Sequence, residues 1–318
     1  MSEPVRILLL GPSTITYADA PLKMSRRTHR ALLYYLALQR QPVPRSILIN
    51  LLWQNASSDT TGRSRLRETL ARIRTELPAG DLLEADRDAV SLRADGFEID
   101  ARRFQTLAEE SERLLVQLLP SAPLMESLRS KMTEAVQLWR SPHFMEGVDL
   151  PESEGLETWL RSTRQHMEAQ YLRLLERLSE NDTVLGNFPA AAGWLQKALA
   201  CDPYNDALHA RLIGLLEQQN RWSEALSHIQ HIERSSEDGL FELTPALKDL
   251  ALHVRERAAL APDNPDARWP GRPSVRVPMT GRAAELKQAQ AAWQRSAPLL
   301  IFGEAGSGMH FHQHLFKA

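Results

Sequence analysis

Five arginines fall within residues 63–74, in the stretch GRSRLRETLARIRTEL that runs from residue 62 to residue 77. Between them, apolar residues recur at intervals of four, three and four, at Leu66, Leu70, Ile73 and Leu77. This spacing predicts a helix with one apolar stripe and an arginine-rich remainder. Guanidinium groups are planar, permanently charged donors that suit phosphates and the O6/N7 edge of guanine. The stretch is therefore a candidate nucleic-acid-binding surface.

The direction of each side chain on this predicted helix follows from its position relative to Leu66. The side opposite the apolar stripe carries Ser64, Arg65, Glu68 and Arg72, and the flanks carry Arg67, Arg74 and Thr69. We expect Arg65 and Arg72 to reach base edges in a major groove and the flanking arginines to anchor phosphates. The solvent-exposed face of an ordinary amphipathic helix is the alternative. Arg63, Arg45 at the start of the preceding predicted helix and Arg87 in the following turn complete the candidate DNA-binding set.

The charge distribution also indicates a polyanionic partner. The 318-residue chain has a net charge of −2, but residues 1–77 hold twelve Lys and Arg against five Asp and Glu. A basic head on an acidic body favours binding of the head to nucleic acid. The rest of the composition is typical of a globular protein of two or three domains, without a membrane segment or signal peptide. A single cysteine, Cys201, excludes an intrachain disulfide framework and fits the cytoplasm.

The elements around the arginine helix predict an α+β winged helix-turn-helix domain over residues 1–96. Short strand patterns come first, in VRILLLG, STITYA and PLKM. Two helix patterns come next, RTHRALLYYLALQ and RSILINLLW, and then the arginine helix. The segment LLEADRDAVSLR alternates apolar and polar residues across a turn, which predicts a hairpin.

Three segments of this head carry a resemblance: RALLYYLAL, LINLLW and SRLRETLARIRTEL. They resemble the OmpR-type winged helix at the start of the Streptomyces antibiotic regulatory protein (SARP) family. The hairpin segment ADRDAVSLR departs from that family, since it lacks the Gly-Tyr usual before its second strand. The resemblance implies a transcriptional activator that binds double-stranded promoter DNA at direct repeats and recruits RNA polymerase.

Residues 97–260 predict an all-α, tetratricopeptide-like helical-repeat domain, with a generic helix bundle as the alternative. The evidence is a period of 34 residues. It relates Phe188 to Trp222, Ala191 to Ala225, Leu195 to Ile229, Leu178 to Leu212 and Leu174 to Leu208. The segments AVQLWRSPHF and DPYNDALHARLIGLLEQQNRWSEAL resemble the bacterial transcriptional activator domain, which comes after the winged helix in SARP proteins. Such a domain implies homodimer formation or coupling to RNA polymerase.

The C-terminal part predicts no enzyme. Residues 261–280 are proline-rich and read as a linker, and residues 281–318 resemble the start of a STAND-type ATPase. Gly303 and Gly308 have the spacing of a phosphate-binding loop, but Met309 stands where such loops carry lysine. We therefore expect a truncated, degenerate ATPase start without a nucleotide cofactor. No residue spacing predicts a metal site or a hydrolase triad.

Together these patterns predict a sequence-specific DNA-binding transcriptional regulator that acts as an activator. Two other functions stay open on the sequence alone. One is a nucleotide-switched STAND-type regulator of which this chain is a fragment. The other is a tetratricopeptide adaptor that binds a protein partner and whose basic head contributes charge alone.

Overall fold

The computed structural model describes residues 3–53, 59–116, 122–149, 153–240 and 242–260. All of them lie in one compact unit that spans Met1–Asn264. The predicted linker, the predicted ATPase start and the loop residues Gly303, Gly308 and Met309 lie outside the described residues. None of the helices within the described ranges is long and apolar enough to cross a membrane.

The first sheet has the strand order β3-β2-β1-β7. Its strands are β1 (Val5–Leu8), β2 (Thr14–Tyr17), β3 (Ala20–Pro21) and β7 (Phe97–Ile99). The last of these is parallel to β1, and Ile7 pairs with Ile99. The sequence placed these three residues, FEI, in the all-α part that was predicted to begin at residue 97. They form a strand because Phe97 and Ile99 both face the core while Glu98, between them, is exposed.

The remaining elements of the head form a winged helix. They are α1 (Arg27–Leu38), β4 (Val43–Pro44), α2 (Arg45–Leu52), α3 (Asp59–Glu76), β5 (Leu83–Ala85) and β6 (Ala89–Leu92). The strands β4, β6 and β5 make a second, three-stranded antiparallel sheet whose β5–β6 hairpin is the wing. Pro44 stands immediately before α2, where its missing N–H costs no helical hydrogen bond.

The rest of the described chain is helical, as the sequence predicted. Its helices are α4 (Asp100–Val116), α5 (Ala122–Gln137), α6 (Glu154–Val184), α7 (Phe188–Cys201), α8 (Asp206–Gln218), α9 (Trp222–Glu237) and α10 (Pro245–Leu260). Phe188 and Trp222, one repeat apart, are the first residues of α7 and α9. The other four pairs related by the 34-residue period are buried at both positions. The fold class, a winged helix followed by a helical-repeat domain, is confirmed.

A buried carboxylate joins the two parts. Asp100, at the start of α4, accepts hydrogen bonds from the backbone N–H groups of Leu9 (2.7 Å) and Leu10 (3.0 Å). Both leucines are fully buried just beyond β1. Arg140 lies 3.5 Å from the same carboxylate and donates its backbone N–H to the carbonyl of Leu10. The end of β1 is therefore held by residues of the helical part.

Candidate nucleic-acid interface

Helix α3 presents its arginines to solvent because its apolar stripe is buried against the rest of the protein. Leu66, Leu70, Ile73 and Leu77 are each at most 6% exposed. Seven of the candidate residues on this helix are exposed: Arg63, Ser64, Arg65, Arg67, Glu68, Arg72 and Arg74. Thr69 is the exception, since it is only 9% exposed and lies against the rest of the head. The predicted direction of the helix faces thus agrees with the structure.

One flank of α3 faces the wing. The guanidinium of Arg74 donates from Nε and Nη2 to the carbonyl of Leu83 on β5, at 3.2 and 3.1 Å. Arg74 therefore ties α3 to the wing and leaves part of its surface exposed. On the same side, Arg45 donates from Nε to the carbonyl of Asp86 (3.0 Å) and from its backbone N–H to that of Asp88 (2.9 Å). These bonds hold the wing turn, in which Arg87 is exposed.

The wing turn is further fixed by the side chain of Asp86. Its Oδ1 accepts the backbone N–H groups of Ala89 and Asp88, both at 2.7 Å. These two hydrogen bonds, with the nearby charge of Arg45, lower the pKa of Asp86 below its usual value. An Asp that bonds the backbone two and three residues on is a common turn device. The turn leaves Arg87 exposed between Asp86 and Asp88.

The other flank of α3 borders a concave pocket of about 300 Å³. Residues from three helices or their ends line it: Arg26, Thr28 and His29 around the start of α1, Trp53 after α2, and Arg65, Glu68, Thr69 and Arg72 on α3. Sequence patterns alone did not single out Arg26. The adjacent arginines Arg26 and Arg27, at the start of a predicted helix, were the available signal, but a sequence pattern does not tell which helix they face.

The helical part after the head also matches a known family. Residues 99–255 match the Bacterial transcriptional activator domain. The matched segment begins inside β7 and ends in α10, so it includes both helix pairs of the 34-residue repeat. Residues 99–255 are hereafter called the activator domain.

The fold is shared with a solved structure, that of Mycobacterium tuberculosis EmbR in complex with a low-affinity phosphopeptide. The similarity has a TM-score of 0.55 at 20% sequence identity and covers 80% of this chain. This chain spans 66% of the EmbR chain. No curated protein matches the sequence. The activator-domain match concerns residues 99–255, and the similarity to EmbR shows a shared fold.

The activator domain holds the head through α1 and α2. Arg102 on α4 donates from Nη2 to the carbonyls of Gln39 (2.5 Å) and Leu36 (3.3 Å) at the C-terminal end of α1. Such bonds satisfy carbonyls that the helix leaves free. Near α2, the Ser153 hydroxyl donates to the carbonyl of Leu51. A Cβ added to Gly155 would lie 2.7 Å from that same oxygen, so the close approach requires glycine.

A buried histidine and a partly buried glutamate connect the end of α3 to the start of α1. Nδ1 of His29 lies 3.1 Å from Oε2 of Glu76 and 3.2 Å from Oε1, and Ser25 donates its backbone N–H to Oε1 at 3.2 Å. The Ser25 hydroxyl bonds the same oxygen. Burial raises the pKa of Glu76, but the hydrogen bonds from Ser25 and His29 outweigh it, and the pKa lies below its ordinary value of 4.5.

Replacing Glu76 by glutamine is expected to reduce the free energy of unfolding at pH 7 by about 1–2 kcal/mol, because charge-assisted hydrogen bonds become neutral ones. A lowered folded-state pKa contributes stability above pH 4.5 that is lost as the pH falls through the lower value. Urea unfolding between pH 3 and pH 7 should therefore show a flatter pH dependence below pH 4.5 in the variant. If the free energy of unfolding falls below pH 4.5 as steeply in the variant as in the wild type, Glu76 does not have this role.

Proposed function

We propose that this chain is a sequence-specific DNA-binding transcriptional regulator that acts as an activator. The observation that carries the proposal is the exposed, arginine-rich face of α3, with a wing beside it. The structure presents Arg63, Arg65, Arg67 and Arg72 to solvent on a helix whose opposite stripe is buried. A single α-helix fits the width of the B-DNA major groove.

The arrangement suits a helix lying in a groove between two phosphate backbones. Ser64 and Glu68 lie on the outermost strip of α3, directly opposite Leu66 and Ile73. Arginines border this strip on both sides. Base edges at the groove floor would face the strip, where a carboxylate such as that of Glu68 accepts the N4 amino group of cytosine. Arg45 and Arg87 extend the basic surface to the wing, next to the adjoining backbone.

The activator domain would have a separate function from the DNA-binding head. We propose that it pairs two chains on neighbouring promoter repeats and contacts RNA polymerase. Two linked heads convert the second binding event into an intramolecular one, which raises overall affinity without any new contact. The firm attachment of α1 and α2 to the activator domain supports a fixed spacing between such heads.

Selection of bound sequences from random DNA, followed by titration of the full chain, tests the proposed function. At physiological salt we expect binding to the selected duplex to be about a thousandfold tighter than binding to random duplex. Replacing Glu68 by alanine should relax selectivity at one base pair by about 1–3 kcal/mol. It should also raise affinity for random DNA, because a negative charge is removed from the surface.

Glu180, which is exposed on α6 and pairs with Arg211, supplies the matched control. Its replacement by alanine removes the same charge near the end of α6 opposite to the end that packs against α2, so selectivity should not change. Equal affinity of the wild-type chain for selected and random DNA would contradict the proposal and favour a protein-binding adaptor. An ATP-dependent change in DNA affinity would favour the nucleotide-switched regulator instead.

A further inference from the structure

The pocket between the start of α1 and α3 has a lining that fits a phosphate group. We infer that it receives one backbone phosphate of the bound DNA, with Arg26, Arg65 and Arg72 as the cationic ligands. This inference rests on the proposed function and extends it, since it makes α1 a second DNA-contacting element. It also changes the expected role of Arg65 and Arg72 from base reading to phosphate binding.

Charge is the first reason. Three arginines, Arg26 immediately before α1 and Arg65 and Arg72 on α3, line one concavity of about 300 Å³. Among the described residues, no ion pair or hydrogen bond engages the guanidinium of Arg26, Arg65 or Arg72. By contrast, Arg6, elsewhere in the head, is paired with Asp19 and Glu98. Clustered like charges repel one another unless an anion lies between them, and guanidinium forks match two phosphate oxygens at once.

The second reason for assigning a phosphate to the pocket is the position of its hydroxyl groups and of its carboxylate. Thr28 and Thr69 line the pocket together with the arginines, and their hydroxyls can donate to phosphate oxygens. Among the residues that the structure describes, Glu68 is the acidic residue that lines it. On an α-helix, residue 68 lies closer to the outermost strip of α3 than residues 65, 69 and 72 do. The carboxylate therefore belongs to the edge of the pocket nearest the groove floor, where a base amino group is the suitable partner.

The position of the pocket is the third reason. A helix in the major groove has one phosphate backbone on each side. The wing, with Arg45 and Arg87, lies on one flank of α3, and the pocket with Arg26 lies on the other. The His29–Glu76 pair fixes α1 against α3, so the pocket keeps its shape before DNA arrives. The three arginines therefore extend from backbone positions that are held relative to one another.

The test uses the full chain, the selected duplex and a random duplex. For Arg26→Ala we expect affinity to fall by about tenfold on both duplexes alike. The slope of log affinity against log salt concentration should decrease by about one, the value of one lost phosphate contact. Arg72→Ala should behave in the same way. Arg173→Ala, an exposed arginine on α6, is the matched control and should leave both quantities unchanged.

A chemical probe locates the phosphate. Duplexes that carry one uncharged methylphosphonate linkage at successive positions should include one position at which neutralisation weakens binding of the wild-type chain but not of Arg26→Ala. If Arg26→Ala binds DNA selectively and with the affinity and salt slope of the wild-type chain, the pocket assignment is wrong. The proposed function would not be affected by that result. Loss confined to the selected duplex would also overturn the pocket assignment, because that result indicates base reading. No DNA binding by the wild-type chain would overturn the proposed function and the pocket together.

Discussion

Replacing Arg129 by methionine is expected to lower the free energy of unfolding by about 3–5 kcal/mol, the cost of leaving a buried charge without its partner. Arg129 on α5 forms a two-pronged pair with Asp182 on α6, with Nε–Oδ1 at 2.9 Å and Nη2–Oδ2 at 3.2 Å. The Asp182 side chain is 0% exposed. Without the guanidinium, one neutral donor remains for this carboxylate, the indole Nε1 of Trp194 at 2.8 Å.

The double variant Arg129→Met/Asp182→Asn should be more stable than Arg129→Met alone. The asparagine removes the buried negative charge that has no partner in Arg129→Met, and its amide oxygen still accepts a hydrogen bond from Trp194. Arg161→Met is the control, because Arg161 pairs with Glu157 on α6 at 3.7 Å and both side chains are exposed. Its cost should be about 0.5 kcal/mol or less. Urea unfolding followed by circular dichroism measures all three; a cost of Arg129→Met as small as that of Arg161→Met would exclude a structural role for the pair.

The second large effect is expected from Asp100→Ala, which should lower the free energy of unfolding by about 2–5 kcal/mol, since two buried N–H groups lose their acceptor. Those groups belong to Leu9 and Leu10, both 0% exposed. Asp100→Asn keeps one acceptor oxygen and should cost less. Exposed Glu98, two residues earlier, is the control, and its replacement by alanine should cost about 1 kcal/mol or less.

The charge state of Asp100 adds a pH signature. Burial raises the pKa of Asp100, against the opposing effects of the Leu9 and Leu10 hydrogen bonds and the Arg140 charge. A folded-state pKa above the ordinary value of 3.8 means that the folded protein keeps its proton to higher pH than the unfolded chain. This contribution to stability is present below pH 3.8 and falls as the pH rises through the raised value. Asp100→Asn should remove it, and an identical pH dependence in wild type and variant would contradict this assignment.

The sequence by itself determined the features that depend on local periodicity. The spacing of Leu66, Leu70, Ile73 and Leu77 defines a helical stripe whatever surrounds it, so the exposed face of α3 could be predicted. The 34-residue repeat likewise placed Phe188 and Trp222 at equivalent positions, which the structure shows to be the first residues of α7 and α9. Which of the candidate residues touch DNA stays a prediction, because helical periodicity defines a direction and not a partner.

Only the tertiary structure decided which distant segments meet. Asp100 bonds Leu9 across 91 residues, and His29 meets Glu76 across 47. The strand at Phe97–Ile99 exists because β1 offers it a partner, whereas its three residues look helical when read together with α4. Arg26 joins Arg65 and Arg72 at one pocket because α1 packs beside α3. Burial and charge clustering depend on which distant segments pack together in the tertiary structure, and local residue patterns carry no information about that packing.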